Sequence, residues 1–219
     1  GIAGGTIDKL ESIPGFDSEL TITEFVENVR SHNICIANQS LDFAPAEGKM
    51  YKLRNQLGFT DSLPIIAASL MSLKLAAGCD KIVFDITCGK GTYIKTRDDA
   101  KRLAKLLVRL GKRLNKTVSC IITNMNEPLG YSIGHNLEIQ ETIMALQGRM
   151  PQDLGDVIEA LGGLMISMAT GNDDMEENTK MIKEAIRSGK AYDKFKEFVV
   201  MQHGDFSTQN VRLGLTRIK

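Results

Sequence analysis

The chain has 219 residues, of which 42% are hydrophobic and 25% charged, enough apolar material for a buried core and unlike the composition of a disordered or collagen-like chain. Lysine plus arginine (27) equals aspartate plus glutamate (27), so no net field holds the chain to nucleic acid or to an anionic membrane. No apolar run reaches the roughly 18 residues of a membrane span and no charged-then-apolar leader opens the chain, so a cytoplasmic location is expected.

Cys35, Cys79, Cys88 and Cys120 show no C-x-x-C spacing, and each lies in or beside an apolar stretch. They read as reduced core thiols rather than as bridges or a zinc site. The chain opens on Gly1-Ile2-Ala3-Gly4-Gly5-Thr6 without a methionine and closes on Arg217-Ile218-Lys219, and a fragment of a longer protein is the expectation.

In chain order, Thr6 to Ile13 reads as a short helix with Asp8 in its first turns, stopped by Pro14-Gly15. Thr23 is expected to cap a helix through Arg30, followed by a short buried strand from Asn33 to Ala37. Residues 46–57 and 63–77 read as a helical hairpin, with Gly58 and Gly78 as stops, Ser62 as a cap and Pro64 near the second start. The apolar run 81–86 is too short for a helix and is expected as a central strand, feeding the glycine loop Cys88-Gly89-Lys90-Gly91. Thr96 caps a helix to about Leu114, and the β-branched run 117–123 is a further strand. A loop from Asn124 to Gly134 leads into a helix at about 136–147, and 152–169, 173–188 and 190–202 are helical, ending at Gly204.

Strands alternating with helices argue for an α/β fold: a mixed, mostly parallel sheet flanked by helices. In open α/β sheets ligands bind outside the carboxyl ends of the strands, so the candidate loops are 1–6, 87–92 and 124–134.

Gly4-Gly5-Thr6 ahead of a helix offers free N–H groups, a positive helix end and a hydroxyl, a combination that suits phosphate but also describes an ordinary helix start. Gly89-Lys90-Gly91-Thr92 lacks the Walker spacing and reads as a tight strand-to-helix turn. Arg54 by itself is a solvated helix charge, and Ser69 by itself is a helix back-bonder among apolar residues. Converging on one pocket they would read the carbonyl and imide edge of a pyrimidine, a convergence that spacing does not decide. His32, His135 and His203 are scattered without metal-ligand spacing and read as caps or surface residues; G-x-S-x-G and H-E-x-x-H do not occur.

The string Gly4-Gly5-Thr6-Ile7-Asp8-Lys9-Leu10-Glu11-Ser12-Ile13-Pro14-Gly15 is very similar to the signature of the thymidine and pyrimidine-nucleoside phosphorylases. The resemblance runs on through Ala44-Pro45-Ala46, Tyr51-Lys52-Leu53-Arg54, Ser62-Leu63-Pro64-Ile65-Ile66-Ala67-Ala68-Ser69, Asn126-Glu127-Pro128-Leu129-Gly130-Tyr131-Ser132-Ile133-Gly134 and Gln202-His203-Gly204-Asp205. It covers essentially the whole chain in order.

The resemblance implies a nucleoside phosphorylase/phosphoribosyltransferase-like fold in which a small α-helical lobe closes on an α/β domain. Residues 46–76 would be a segment of the base-binding helical lobe, and 1–45 with 77–219 an incomplete phosphate-binding α/β domain. The implied activity is phosphorolysis of pyrimidine nucleosides to free base and (deoxy)ribose 1-phosphate, with inorganic phosphate as co-substrate and no organic cofactor. It further implies a homodimer that engages nucleoside and phosphate, but neither nucleic acid nor membrane. By resemblance Thr6, with Gly5, binds phosphate, while Arg54 and Ser69 bind the base and stabilise charge on it as it departs. Leu129, Ser132 and Glu141 match positions that hold a structural monovalent cation, K+, through two backbone carbonyls and a carboxylate in some bacterial members. Oxygen-only ligation suits such an ion; the plain alternative is a loop-to-helix junction with a surface glutamate.

Two departures stand against the resemblance. The family's glycine-rich phosphate loop would lie upstream of Gly1, so the chain alone is expected to be inactive. Leu73 falls where the family places a base-binding lysine, with Lys74 on another face, and Thr87 stands where a lysine is usual. A phosphoribosyl-type transferase is the competing enzyme, but it needs an acidic magnesium motif not found here; a non-catalytic nucleoside- or phosphate-binding relative is the other alternative, favoured by Leu73 and Thr87.

Overall fold

The computed structural model describes residues 5–38, 44–58 and 62–207. In chain order the elements are α1 (Thr6–Leu10), α2 (Ile22–His32), α3 (Pro45–Leu57), α4 (Leu63–Ala76), β1 (Lys81–Cys88), α5 (Arg97–Arg113), β2 (Thr117–Asn124), α6 (His135–Leu146), α7 (Gln152–Thr170), α8 (Met175–Arg187) and α9 (Lys190–Met201).

The two expected central strands form a parallel pair, with Lys81 opposite Thr117 and, at the far end, Cys88 opposite Asn124. Alternate residues of β1, Ile82, Phe84, Ile86 and Cys88, are buried, because successive side chains of a strand point to opposite faces. The crossover helix α5 buries Ala100, Leu103, Leu107 and Gly111, one stripe at helical spacing, against this face. Gly111 is needed there, since a Cβ would lie 2.4 Å from Cγ2 of Val118. Ala67 and Met71 of α4 complete the same core, and α7 packs against both strands.

A second core gathers Leu10, Ile13, Phe16, Ile139, Phe198 and Val199 from α1, α6, α9 and the turn after α1. Its centre is aromatic, with the rings of Phe16 and Phe198 5.5 Å apart.

Residues 34–37 are not a strand. The N–H of Ile36 donates to Oε1 of Gln202 (3.1 Å), and the Ile36 carbonyl accepts from Gln202 Nε2 (2.8 Å), which also donates to the Asp17 carbonyl (2.9 Å). The side-chain amide of Gln202, 0% exposed, thus substitutes for a neighbouring strand, while Ile34 and Ile36 pack on the second core. The start of α2 is also shifted from the expected Thr23. Thr21 is the cap because Glu24 stands three residues on: Thr21 Oγ1 accepts from the Glu24 N–H, and the Glu24 carboxylate accepts from the Thr21 N–H at 2.8 Å. That backbone donor holds the Glu24 carboxyl below its ordinary value.

Among the described residues no single helix is long and apolar enough to cross a membrane.

Candidate active site

The hairpin of α3 and α4 owes its bounds to backbone chemistry. Pro45 opens α3, Pro64 lies in the first turn of α4, and α3 ends on Gly58 in the left-handed region (φ 71°). The hairpin stands beside β1 and encloses a cleft of about 380 Å³. Tyr51 and Arg54 enter it from α3, Ser69 and Leu73 from α4, and Asp85 and Thr87 from β1.

Arg54 and Ser69 therefore converge on one pocket. The Arg54 guanidinium lies over the Tyr51 ring at 4.8 Å from its centre, and its Nε is buried without a hydrogen-bond partner. An unpartnered buried donor is costly, and the guanidinium that lines the cleft can only donate hydrogen bonds. Ser69 is 9% exposed and donates its hydroxyl hydrogen to the carboxylate of Glu47, itself 9% exposed, behind the cleft wall. Glu47 sits in the first turn of α3, where the positive helix end favours a carboxylate. On the β1 side Asp85 accepts from the Thr123 hydroxyl at 2.6 Å, and the Thr87 and Thr92 hydroxyls meet at 3.3 Å.

The remaining wall, which includes Ile66, Leu70, Leu73 and Ile94, is apolar. Leu73 lies one turn beyond Ser69 on that wall and offers the cleft no donor. A largely apolar slot with a cationic donor and the Ser69 hydroxyl on the hairpin side, and Asp85 and Thr87 on the β1 side, is suited to a flat heterocycle with polar edges.

Glu47 and Tyr51 were not singled out by the sequence. The available signal was periodicity, since positions 47, 51 and 54 share one face of a helix.

Gly5 and Thr6 do not line this cleft and are exposed at the start of α1. The Gly5 N–H donates to the Asp8 carboxylate at 2.7 Å, so that donor already has an anionic partner. Lys9 ties α1 to the first turn of α6 through Glu138 at 2.5 Å. The rest of the opening glycine loop, residues 1–4, lies outside the described residues.

Ser132 meets Glu141 where α6 packs on the loop ahead of it, the loop in which Leu129 also stands. The Glu141 carboxylate, on a residue only 6% exposed, accepts from the N–H groups of Tyr131 (2.8 Å) and Ser132 (3.4 Å). Gly130 makes this approach possible: its φ is 72°, and a Cβ there would lie 2.4 Å from Glu141 Oε2. Glu141 is thus a buried loop anchor and not a surface glutamate. The other glycine loop is a packed turn, as its sequence suggests. The Gly91 N–H donates to the Met125 carbonyl (2.8 Å) and the Lys90 N–H to Asn126 Oδ1 (3.2 Å), which leaves those donors engaged within the protein.

Residues 1–192 match the glycosyl transferase family, a/b domain, and the chain belongs to that family. The chain is 42% identical over 207 residues to the pyrimidine-nucleoside phosphorylase of Bacillus subtilis, an alignment covering 94% of this chain and 48% of that protein. It is also 43% identical over 205 residues to the pyrimidine-nucleoside phosphorylase of Staphylococcus aureus, covering 94% of this chain and 47% of the relative. The chain spans about half the length of the curated relatives it matches.

Proposed function

We propose that the chain is part of a pyrimidine-nucleoside phosphorylase and that the cleft between the α3–α4 hairpin and β1 receives the base. The observation that carries this reading is the convergence of Arg54 and Ser69 on one largely apolar slot, with the Arg54 Nε buried and unpartnered. In the reaction a phosphate oxygen attacks the anomeric carbon, the C–N glycosidic bond breaks, and its electron pair leaves with the base. The Arg54 guanidinium stabilises that developing charge, Ser69 fixes the base edge, and the apolar walls keep water from the reacting carbon. No covalent intermediate with the protein is needed. Thr6 and Gly5 would contribute to the phosphate site, the Asp8 carboxylate giving up the Gly5 N–H to the incoming anion.

The wider proposal is a nucleoside phosphorylase-like fold, with residues 46–76 a segment of a helical lobe, and a cytoplasmic homodimer. A K+ ion at the 129–132 loop fits the donor set of two backbone carbonyls and a carboxylate, since Glu141 keeps free lone pairs after accepting its two N–H bonds. It would serve to fix the loop.

The full-length protein, assayed with uridine, thymidine and deoxyuridine with and without inorganic phosphate, should release free base only when phosphate is present. Base release that ignores phosphate would overturn the phosphorylase reading. The second reading, a nucleoside-binding relative without turnover, is favoured by Leu73, which places no donor one turn from Ser69; it would appear as binding without release.

A further inference from the structure

We propose that Glu47 sets the polarity with which Ser69 reads the base, and so selects pyrimidines whose ring nitrogen carries a hydrogen, uracil and thymine, over cytosine. This rests on the reading of the cleft as the base site. A serine hydroxyl has one hydrogen and two lone pairs, whereas a carboxylate only accepts. The Ser69 hydrogen is directed at Glu47, and both residues are nearly buried, so little water competes for it. What Ser69 turns toward the cleft is therefore a lone pair. Glu47 does not line the cleft; it is a positioning residue that acts through Ser69.

Arg54, on the same helix as Glu47, supplies the opposite polarity, since the guanidinium it brings to the cleft has N–H donors only and its Nε has no acceptor of its own. On the hairpin side Ser69 and Arg54 thus present the cleft with an acceptor and a donor. That pair complements an imide edge, an N–H beside a carbonyl. With the sugar fixing the ring through its glycosidic nitrogen, cytosine would present a bare ring nitrogen to the Ser69 lone pair. Two lone pairs face each other in that pose, and a buried acceptor is left unsatisfied.

The test is the ratio of kcat/KM for uridine to that for cytidine in the full-length protein, for wild type, Glu47→Ala, Glu47→Asp, Ser69→Ala and the Glu47→Ala/Ser69→Ala double variant. The wild type should prefer uridine. Glu47→Ala frees the Ser69 hydrogen to turn into the cleft, and the preference should fall about tenfold. Glu47→Asp, which keeps a carboxylate, should retain the preference even where the rate drops. Glu47→Ala should change the ratio no further once Ser69 is alanine, because residues that act as a unit are not additive. A loss of rate equal for both nucleosides in Glu47→Ala, with the ratio intact, would assign Glu47 a purely structural role and overturn the proposal. If Glu47→Ala does not fold, the same ratio is read from Glu47→Gln, whose neutral amide holds the Ser69 hydrogen less strongly and should lower the preference part of the way. If the wild type turns over neither nucleoside, the affinities of uracil and cytosine replace the rates. A protein that binds neither base contradicts the base site itself, whereas one that prefers uracil regardless of residue 47 contradicts only the role of Glu47.

Discussion

The hydroxyl of Ser69 in α4 donates to the carboxylate of Glu47 in α3, so the two helices of the hairpin are joined by a buried hydrogen bond directly behind the cleft wall. The bond fixes the α4 face on which Ser69 and Leu73 stand. It also leaves Arg54 as the guanidinium that lines the cleft, with its Nε unengaged.

Arg54→Ala should lower kcat/KM for pyrimidine nucleosides about ten- to a hundredfold, the scale of one hydrogen bond to a charged group at about 1.5–3 kcal/mol. Its thermal stability should change little, because among the described residues the interaction its side chain makes in the cleft is the stack on Tyr51. Steady-state kinetics with a melting curve on the same preparation checks both halves.

Leu73→Lys should raise uridine or thymidine phosphorolysis about ten- to a hundredfold by placing a charged donor one turn from Ser69. Leu73 is only half-buried, so a lysine stem can lie along the wall with its head in the cleft. A folded variant without gain on any pyrimidine nucleoside would favour a different base or a binding protein without turnover.

The hairpin and both strands were legible in the sequence because their signals are local: Ser62 and Pro64 near a helix start, Gly58 at a helix end, and apolar or β-branched runs at 81–86 and 117–123. The segment 34–37 carries the same kind of run, but its backbone partner is the side chain of Gln202, more than 160 residues away, which no local pattern reveals. Arg54 and Ser69 came from the resemblance to a known family, and only the packing of α3 on α4 shows that they share a pocket. Glu47 escaped notice because a glutamate in a first helical turn is ordinary; its meaning comes from the serine it meets on the next helix.

Gln202→Met should destabilise the protein by about 1–3 kcal/mol, since it keeps the volume of the side chain but leaves the polar backbone groups of Ile36 and Asp17 without their partner. Denaturant unfolding followed by circular dichroism would show this as a lower midpoint. An unchanged midpoint would mean that water replaces the amide without loss.

Burial pushes the Cys120 thiol up to about 11 from an ordinary value of 9.0. The folded protein therefore holds this proton where the unfolded chain has released it, so stability linked to Cys120 is complete below about pH 9 and is lost as pH rises toward 11. Cys120→Ala should flatten the fall in melting temperature between those pH values relative to wild type. The thiol should also react slowly with iodoacetamide at neutral pH, because the thiolate is the nucleophile.

The most direct measurement of the central claim is a crystal structure of the full-length protein with uracil bound. The base should lie in the cleft between the α3–α4 hairpin and β1, with a carbonyl oxygen about 3 Å from an Arg54 nitrogen and its ring N–H directed at Ser69 Oγ, which still donates to Glu47. Uracil bound elsewhere, with Arg54 and Ser69 untouched, would contradict the assignment of this cleft as the base site.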